Sequence, residues 1–175
     1  NHSIMNLIKQ LSILSFLLIS VSMCKAQVEQ LQGPRIGATF LTDGTSSERI
    51  ESNFITQFGY QWESRFTNDS LKYAFLGEWL VSVGGLEKGL FLPSFSALMG
   101  FRGEEGYEFA LGVNLSLTGF APILAIGKNF KVGSVNMPVN IGFVPSVDRK
   151  DPALGDAGPS GSRITFTIGF NSKYF

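Results

Sequence analysis

Histidine and cysteine are almost absent from this chain of 175 residues, which contains only His2 and Cys24. Beyond these positions the chain has no histidine to act as a general base beside a serine or an aspartate, and no thiol nucleophile. The same scarcity of histidine and cysteine excludes metal sites built on histidine or thiolate ligands. It also excludes a disulfide framework. We therefore expect a protein that is not an enzyme, binds no cofactor and holds no catalytic or metal site.

The chain also lacks a net charge of either sign. The chain has 14 basic and 14 acidic residues, so we expect no nucleic-acid partner, which a basic patch would attract. Acidic residues do cluster in two turn-rich segments, Asp43–Glu51 and Asp148–Asp156, and carboxylates are ligands that calcium uses. Because neither segment has the spacing of a calcium-binding loop, we interpret both as solvated loops.

A long apolar run occurs only near the start of the sequence. Leu11–Val21 follows the basic residue Lys9 and precedes small residues at Cys24 and Ala26. This order is typical of a secretory signal peptide that is cleaved after Ala26. A membrane anchor is the alternative, but a membrane span needs roughly 20 apolar residues and this run is shorter.

The cleavage site also bears on Cys24. Lipidation of this cysteine is a second alternative, but the lipidation motif needs a small residue before the cysteine, and Met23 stands there. We predict a signal peptide within residues 1–26, with Met5 as its start and Asn1–Ile4 upstream of it. Residues 27–175 then have a length that suits one domain.

No helical periodicity follows the apolar run, and hydrophobic residues recur at every second position, which predicts β-strands. Short turns between the segments favour an antiparallel up-and-down arrangement. The segment from Pro122 to Lys131 has the weakest pattern, because Lys128 and Lys131 fall on opposite faces. Turn signals separate eight predicted strands: Pro34–Thr42, Ser52–Phe66, Leu71–Val83, Leu90–Arg102, Tyr107–Thr118, Pro122–Lys131, Val135–Val147 and Arg163–Phe175.

The alternation separates a bulky apolar face from a small polar face. In Tyr107–Thr118 one face carries aromatic and branched aliphatic side chains, and the other carries mainly small or polar residues. An eight-stranded barrel has an interior just wide enough for side chains, so the small face fits inside it. We therefore predict an all-β transmembrane barrel with its apolar face towards lipid. A secreted soluble barrel with the apolar face inside, around an apolar ligand, is the alternative.

The connections predict which end of the barrel faces which compartment. Those near Thr67–Ser70, Gly103–Gly106 and Gly133–Ser134 are short, whereas Asp43–Glu51 and Asp148–Ser162 are long. Short periplasmic turns and long extracellular loops are typical of outer-membrane barrels. Aromatic residues beside the short turns fit a girdle at the periplasmic interface: Phe66, Tyr73, Phe101, Tyr107, Phe130, Tyr174 and Phe175.

The closing segment Arg163–Phe175 carries the sharpest resemblance. Its apolar residues alternate with polar ones and its last residue is aromatic, which resembles the terminal strand of Gram-negative outer-membrane β-barrels. The chain from residue 27 onwards resembles the small outer-membrane β-barrel (porin-like) domain family. The resemblance implies that the closing strand is the assembly signal, recognised by the barrel assembly machinery, with these residues: Phe166, Ile168, Phe170, Tyr174 and Phe175.

The few charges on the polar face are of both signs. We predict that they form ion pairs inside the lumen, involving these residues: Arg35, Glu63, Arg65, Glu78, Arg102, Glu108 and Arg163. Such pairs would fill a narrow interior. A non-enzymatic barrel of the bacterial outer membrane, structural or presenting extracellular loops, is the first functional hypothesis, and a narrow channel or small-ligand transporter is the second. The expected partners are outer-membrane lipid and the assembly machinery, and the sequence does not identify an extracellular partner.

Overall fold

A computed structural model describes residues 27–67, 72–117, 119–133, 135–151 and 155–173. The predicted signal peptide and its cleavage site lie outside these residues. In the part of the chain that the structure describes, no helix is long and apolar enough to cross a membrane. The strands are β1 (Gln27–Leu41), β2 (Phe54–Thr67), β3 (Tyr73–Gly84), β4 (Leu92–Gly103), β5 (Tyr107–Ser116), β6 (Gly119–Val132), β7 (Val135–Val144), β8 (Asp148–Asp151), β9 (Gly155–Pro159), β10 (Arg163–Gly169) and β11 (Ser172–Lys173). A helix, α1 (Thr45–Ile50), lies between β1 and β2, and a 3₁₀ turn (Leu86–Lys88) lies between β3 and β4.

Eight antiparallel strands close into a barrel. Strands β1 to β7 pair in chain order, β7 pairs with β10, and β10 pairs back with β1. The closing ladder runs from Arg35 opposite Gly169 to Leu41 opposite Arg163. The predicted eight-stranded up-and-down barrel is therefore confirmed, including the weakly patterned strand β6, which is 14 residues long.

The first and last predicted strands differ from the observed ones. Strand β1 begins at Gln27, seven residues before the predicted start at Pro34, because polar side chains on both faces of its first half hid the alternation. The predicted strand Arg163–Phe175 is interrupted between β10 and β11. The interruption lies opposite Pro34, which has no N–H to donate to a ladder. The register is the same on both sides of the gap, and Tyr174 and Phe175 lie outside the described residues.

Two elements in the loops contradict the sequence predictions. The expectation of no helix after residue 26 is wrong, because α1 forms six residues of helix in the first loop. It is too short to show a 3.6-residue pattern, and Ser47 steadies its start through hydrogen bonds with both backbone groups of Gly44. The segment Asp148–Ser162 is not all loop, because β8 and β9 form a small separate hairpin within it.

The apolar face of the barrel points outward, as predicted. Aromatic and aliphatic side chains along every barrel strand are exposed, and Leu111, Ile126 and Phe166 are each about half exposed. The interior is more apolar than the sequence pattern indicated, because large aliphatic side chains also point inward. The buried ones are these: Leu31, Leu41, Ile55, Leu76, Leu98 and Val144.

Glycines allow the strands to coil tightly around this narrow interior. Gly112 lies on the inward face of β5, where a Cβ atom would overlap the carbonyl oxygen of Ala97 on β4. Gly33 on β1 is restricted in the same way by the carbonyl oxygen of Phe170. At these two positions glycine is needed because a side chain would overlap the backbone of the neighbouring strand.

The two ends of the barrel differ. The turn end carries the connections β2–β3, β4–β5 and β6–β7, and the loop end carries α1, the 3₁₀ turn and the β8–β9 hairpin. Exposed aromatic residues near the turn end include Tyr73, Phe101 and Tyr107. Two other predicted girdle residues that the structure describes are Phe66 and Phe130. They lie near the last residues of β2 and β6, at the same end of the barrel.

Candidate functional site in the barrel interior and at the loop end

Three predicted lumen charges meet at one level of the interior. Arg102 on β4 lies 2.6 Å from the Glu108 carboxylate on β5 and 2.6 Å from the Glu63 carboxylate on β2. All three side chains are almost fully buried, with exposed fractions of 6% or less. The contact to Glu108 is also a hydrogen bond, whereas the contact to Glu63 is an ion pair without hydrogen-bond geometry.

A neutral amide extends this cluster to Arg35. Asn171 donates a 3.0 Å hydrogen bond to Glu63 and accepts a 2.8 Å hydrogen bond from Arg35. Arg35 donates further hydrogen bonds to Gln61 at 3.0 Å and to the carbonyl of Pro34. We call Arg35, Glu63, Arg102, Glu108 and Asn171 the charged layer. Their interlocked contacts span the lumen between β1, β2, β4, β5 and the segment between β10 and β11.

Glu78 is placed beside this layer without an ion pair. It lies opposite Glu63 in the β2–β3 register and is 5% exposed. Its carboxylate atom Oε1 has no hydrogen-bond partner among the described protein atoms. A buried polar atom without a partner is costly, so its surroundings are informative.

Those surroundings form a small cavity, which we call the upper cavity. It has a volume of about 70 Å³ and lies between the charged layer and the loop end. Its lining includes Glu78, Gln61 and Asn140, and the unpartnered atoms Oε1 of Glu78, Nε2 of Gln61 and Oδ1 of Asn140 belong to these residues. The lining also includes aliphatic side chains such as Leu80 and Ile123, so the cavity is of mixed polarity. Its size and polar groups are sufficient for water, because one water needs roughly 10–15 Å³ of such volume.

The remaining predicted lumen charges lie towards the two ends. Arg65 pairs with Glu29 at 3.2 Å near the turn end, and Lys173 pairs with the same carboxylate at 2.8 Å. Arg163 near the loop end donates hydrogen bonds to Ser116 and Asn114. The seven predicted residues are therefore all inside the barrel, but they occupy three levels and do not form one cluster.

A second cavity opens at the turn end, and we call it the vestibule. Its volume is about 850 Å³, and Glu29, Arg65 and Arg102 contribute to its lining. Arg102 of the charged layer lines the vestibule, and Glu78, beside that layer, lines the upper cavity, so the charged layer lies between the two spaces. The lumen thus has polar side chains towards both ends, with the charged layer between them.

Two residues that hydrogen-bond within or to the charged layer, Gln61 and Asn171, were not predicted as site residues from the sequence. Gln61 and Asn171 lie on polar faces of their predicted strands, so the alternation placed them inward. Nothing in the alternation distinguished them from other inward amides. Only the observed register brings Asn171 between Arg35 and Glu63.

Hydrogen bonds hold the loop end together across the seam, which is the ladder where β1 pairs with β10. Thr42 and Ser162 exchange hydrogen bonds, with Thr42 N–H donating to the Ser162 carbonyl at 2.9 Å and Ser162 N–H donating to the Thr42 hydroxyl at 2.8 Å. The N–H of Ser46 in α1 donates to the carbonyl of Ser160. These contacts join the first loop to the last one, so α1 rests on the segment that precedes β10.

The 3₁₀ turn is fixed to the neighbouring strand. The Thr56 hydroxyl and the Thr56 backbone N–H both donate hydrogen bonds to the carboxylate of Glu87. These hydrogen bonds, the hydroxyl one foremost, hold the pKa of Glu87 below its usual range. Glu87 therefore remains an anion on the surface of the loop end at neutral pH.

Metal ligands do not assemble among the described residues of the acidic loops. Over the described ranges, no group of three or more histidine, cysteine, aspartate or glutamate side chains could hold a metal ion. Asp43 instead accepts a 3.1 Å hydrogen bond from Asn53 across the first loop. Glu48 and Glu51 point into solvent.

The outward side chains of the predicted assembly signal form a row on the closing strand. Phe166 and Ile168 on β10, and Phe170 just after it, are each roughly half exposed on the outer surface. Phe166 also contacts Phe40 on β1 edge to face, with ring centroids 6.1 Å apart. Tyr174 and Phe175, which complete the predicted signal, lie outside the described residues.

No protein-family model matches the chain, and no curated protein matches it. The chain is similar to the crystal structure of Neisserial surface protein A, with 11% identity, a TM-score of 0.47, and 85% of this chain and 99% of that chain covered. It is similar to a de novo designed transmembrane β-barrel, with 11% identity, a TM-score of 0.46, and coverages of 83% and 96%. OmpT, an outer membrane protein from Vibrio cholerae, matches with 10% identity, a TM-score of 0.27, and coverages of 87% and 57%. The closed strand order and outward apolar surface of the chain itself are those of a transmembrane β-barrel.

Proposed function

We propose that this protein is a non-enzymatic, integral barrel of the bacterial outer membrane that offers its loop end for contact outside the cell. The observation that carries the proposal is the apolar outer surface of a closed barrel. The charged layer and the joined loops support the further statements about the lumen and the loop end.

The outer surface supports a lipid environment. Leaving a large apolar side chain in water instead of burying it costs about 1.5–3 kcal/mol, and such side chains occur along every barrel strand. Contiguous apolar patches on soluble monomers are usually limited to a few hundred Å². Closure of β10 onto β1 also pairs the two edges that an open sheet would leave, and lipid could not satisfy unpaired backbone groups. These features disfavour a secreted soluble barrel.

The charged layer supports a closed lumen. Arg102 is held by two carboxylates from different strands, and Asn171 ties Glu63 to Arg35. An eight-stranded barrel has space for interior side chains or one small ligand, but not for a wide aqueous pore. The narrow channel is kept as the second candidate, because the upper cavity and the vestibule approach the charged layer from opposite sides.

The loop end supports a role in contact. Hydrogen bonds join α1, the segment before β10 and the β3–β4 turn to the barrel rim, so their exposed groups are presented by fixed backbone. Exposed loops on a rigid scaffold are where binding groups are usually found. The exposed carboxylates of Glu48, Glu51 and Glu87 and the exposed ammonium group of Lys88 give this surface charges of both signs.

Membrane insertion is tested first. The protein should remain in the outer-membrane fraction after a high-salt wash, and the unheated sample should migrate faster on a denaturing gel than the boiled one. Recovery in the soluble fraction would favour the soluble barrel. Step-like conductance in a planar lipid bilayer would favour the channel, whereas a silent bilayer is expected.

Orientation is tested with two matched insertions. An epitope placed after Asp151, between β8 and β9, should be labelled on intact cells. An epitope placed after Glu104, in the β4–β5 turn, should be labelled only after the outer membrane is permeabilised. The reverse pattern would contradict the proposed role of the loop end.

A further inference from the structure

One lysine departs from the apolar outer surface. Along β1 to β7 and β10, as the structure describes them, Lys128 is the one charged residue at an outward position. It lies on β6 between the outward residues Ile126 and Phe130. Its partners in the ladders are Tyr107 on β5 and Val139 on β7, which are both exposed on the outer surface.

The level of Lys128 is that of the membrane interface. Tyr107 is the first residue of β5 at the turn end, and its ring lies beneath the Lys128 ammonium, with Nζ 4.1 Å from the ring centroid. The ring of Phe130 lies 5.7 Å from the same Nζ. Tyrosine and lysine both favour the headgroup region, where an apolar stem contacts lipid chains and a polar tip contacts water.

The ammonium group has no anionic partner within the described part of the chain, where no ion pair includes Lys128. A lysine on the lipid face costs about 2–4 kcal/mol at the midplane but only about 0–1 kcal/mol near the interface. Glu104 and Glu105 line the vestibule together with Lys128, but neither carboxylate forms an ion pair with it among the described residues. At the interface, the phosphate of a lipid headgroup is a further anion that an outward lysine can reach. The cation–π contact orients the lysine but leaves its charge uncompensated.

We propose that Lys128 and Tyr107 form a binding site for the phosphate group of a membrane phospholipid. The site rests on the proposed function, because it requires the barrel to lie in a bilayer. With the turn end towards the periplasm, the lipid belongs to the inner leaflet of the outer membrane. Ile126 and Val139 flank the lysine and offer the apolar surface that acyl chains would cover, which a free phosphate ion would not use.

The chain offers a matched control for this site. Lys131 is on the same strand, three residues further on, and belongs to the opposite face of β6, opposite Asn136. Both lysines carry the same charge and lie near the same end of the barrel. Both lysines line the vestibule, but Lys128 is the one placed over the Tyr107 ring. Loss of charge at Lys131 therefore changes the net charge equally and leaves the Lys128–Tyr107 contact in place.

The test measures binding of dimyristoyl phosphatidylglycerol to the folded protein in a neutral detergent by native mass spectrometry. Lys128→Gln should weaken binding of the first lipid about fivefold, which corresponds to about 1 kcal/mol per lysine near a lipid surface. Lys131→Gln should bind like the wild type, and Lys128→Arg should keep most of the affinity. Faster migration of the unheated samples verifies that each variant is folded.

The outcomes separate the site from the function on which it rests. If the wild type inserts into vesicles but Lys128→Gln binds lipid as tightly as the wild type, the lipid site is wrong and the barrel function stands. Equal losses of lipid affinity for Lys128→Gln and Lys131→Gln would show that the effect depends on net charge alone. That result would also overturn the site. Competition by inorganic phosphate as strong as that by the lipid would indicate a simple anion site. If the wild type does not insert, both proposals are overturned.

Discussion

Replacing Arg102 with methionine should be among the most damaging single changes in the barrel. Methionine fills a similar length but removes the charge that Glu63 and Glu108 share. Both carboxylates would then remain buried without their cation, and Asn171 would be the one described hydrogen-bond donor left to Glu63. The perturbation thus leaves two like charges in the interior of the barrel.

The magnitude follows from burial. The exposed fractions of the Arg102, Glu63 and Glu108 side chains are 4%, 0% and 6%, so solvent screens the cluster weakly. Breaking a buried ion pair by removing one partner costs about 3–5 kcal/mol. Arg65, whose side chain is 35% exposed and pairs with Glu29, provides the comparison, and loss of an exposed pair costs about 0–1 kcal/mol.

Urea unfolding of the barrel after refolding into lipid vesicles measures both free energies. Trp62 and Trp79 lie on the outer surface, so their fluorescence should report the loss of lipid contact on unfolding. Arg102→Met should lower the free energy of unfolding by about 3–5 kcal/mol, and Arg65→Met by no more than about 1 kcal/mol.

A triple variant distinguishes buried charge from lost packing. Replacing Arg102 with methionine together with Glu63→Gln and Glu108→Gln removes the uncompensated carboxylates, so much of the lost stability should return. Equal losses for Arg102→Met and Arg65→Met would refute the reasoning. A triple variant no more stable than Arg102→Met alone would show that packing, and not charge, was lost.

Three further changes test the outer face, the strand contacts and assembly. Leu111→Arg, on the lipid face, should cost about 2–4 kcal/mol by urea unfolding in vesicles, whereas Gln57→Arg, in the upper cavity, should cost less. Similar losses would contradict the assignment of the faces. Gly112→Ala should lose about 1–3 kcal/mol of stability, because its methyl group would overlap a neighbouring carbonyl. Gly142→Ala, whose methyl group would lie 3.6 Å from Ile123 Cδ1, should stay within about 0.5 kcal/mol of the wild type. Deleting Phe175 should sharply lower the amount of inserted protein in cells but leave unfolding of the refolded barrel nearly unchanged, and normal insertion in cells would argue against the assembly signal.

The barrel could be predicted from the sequence because a strand that separates lipid from a lumen must alternate in polarity. Strand β5 shows this at nearly every position, and its predicted bounds, Tyr107–Thr118, almost match the observed Tyr107–Ser116. The start of β1 could not be predicted in the same way. Its first residues lie near the turn end, where outward polar residues such as Gln30 are tolerated and the contrast between faces disappears.

The partners within the interior could not be predicted, because they depend on the tilt and register of strands that are distant in sequence. Alternation placed Arg102 and Glu63 inside, but nothing in the sequence indicated that Arg102 meets Glu63 while Arg35 meets amides. The helix α1 could not be predicted from the sequence for a different reason. Its six residues are fixed by capping contacts and by the neighbouring loop, which do not produce a periodic pattern.

The seam between β1 and β10 has a consequence for how this chain must be made. Thr39 and Thr165, whose hydroxyl groups are hydrogen-bonded across the seam, are 126 residues apart in the sequence. During translation, β1 emerges from the ribosome long before the strand that must pair with it, and such non-local pairing slows folding. In the meantime its unpaired edge and apolar face are open to aggregation. We therefore expect the unfolded chain to depend on a chaperone until β10 pairs with β1 in the membrane.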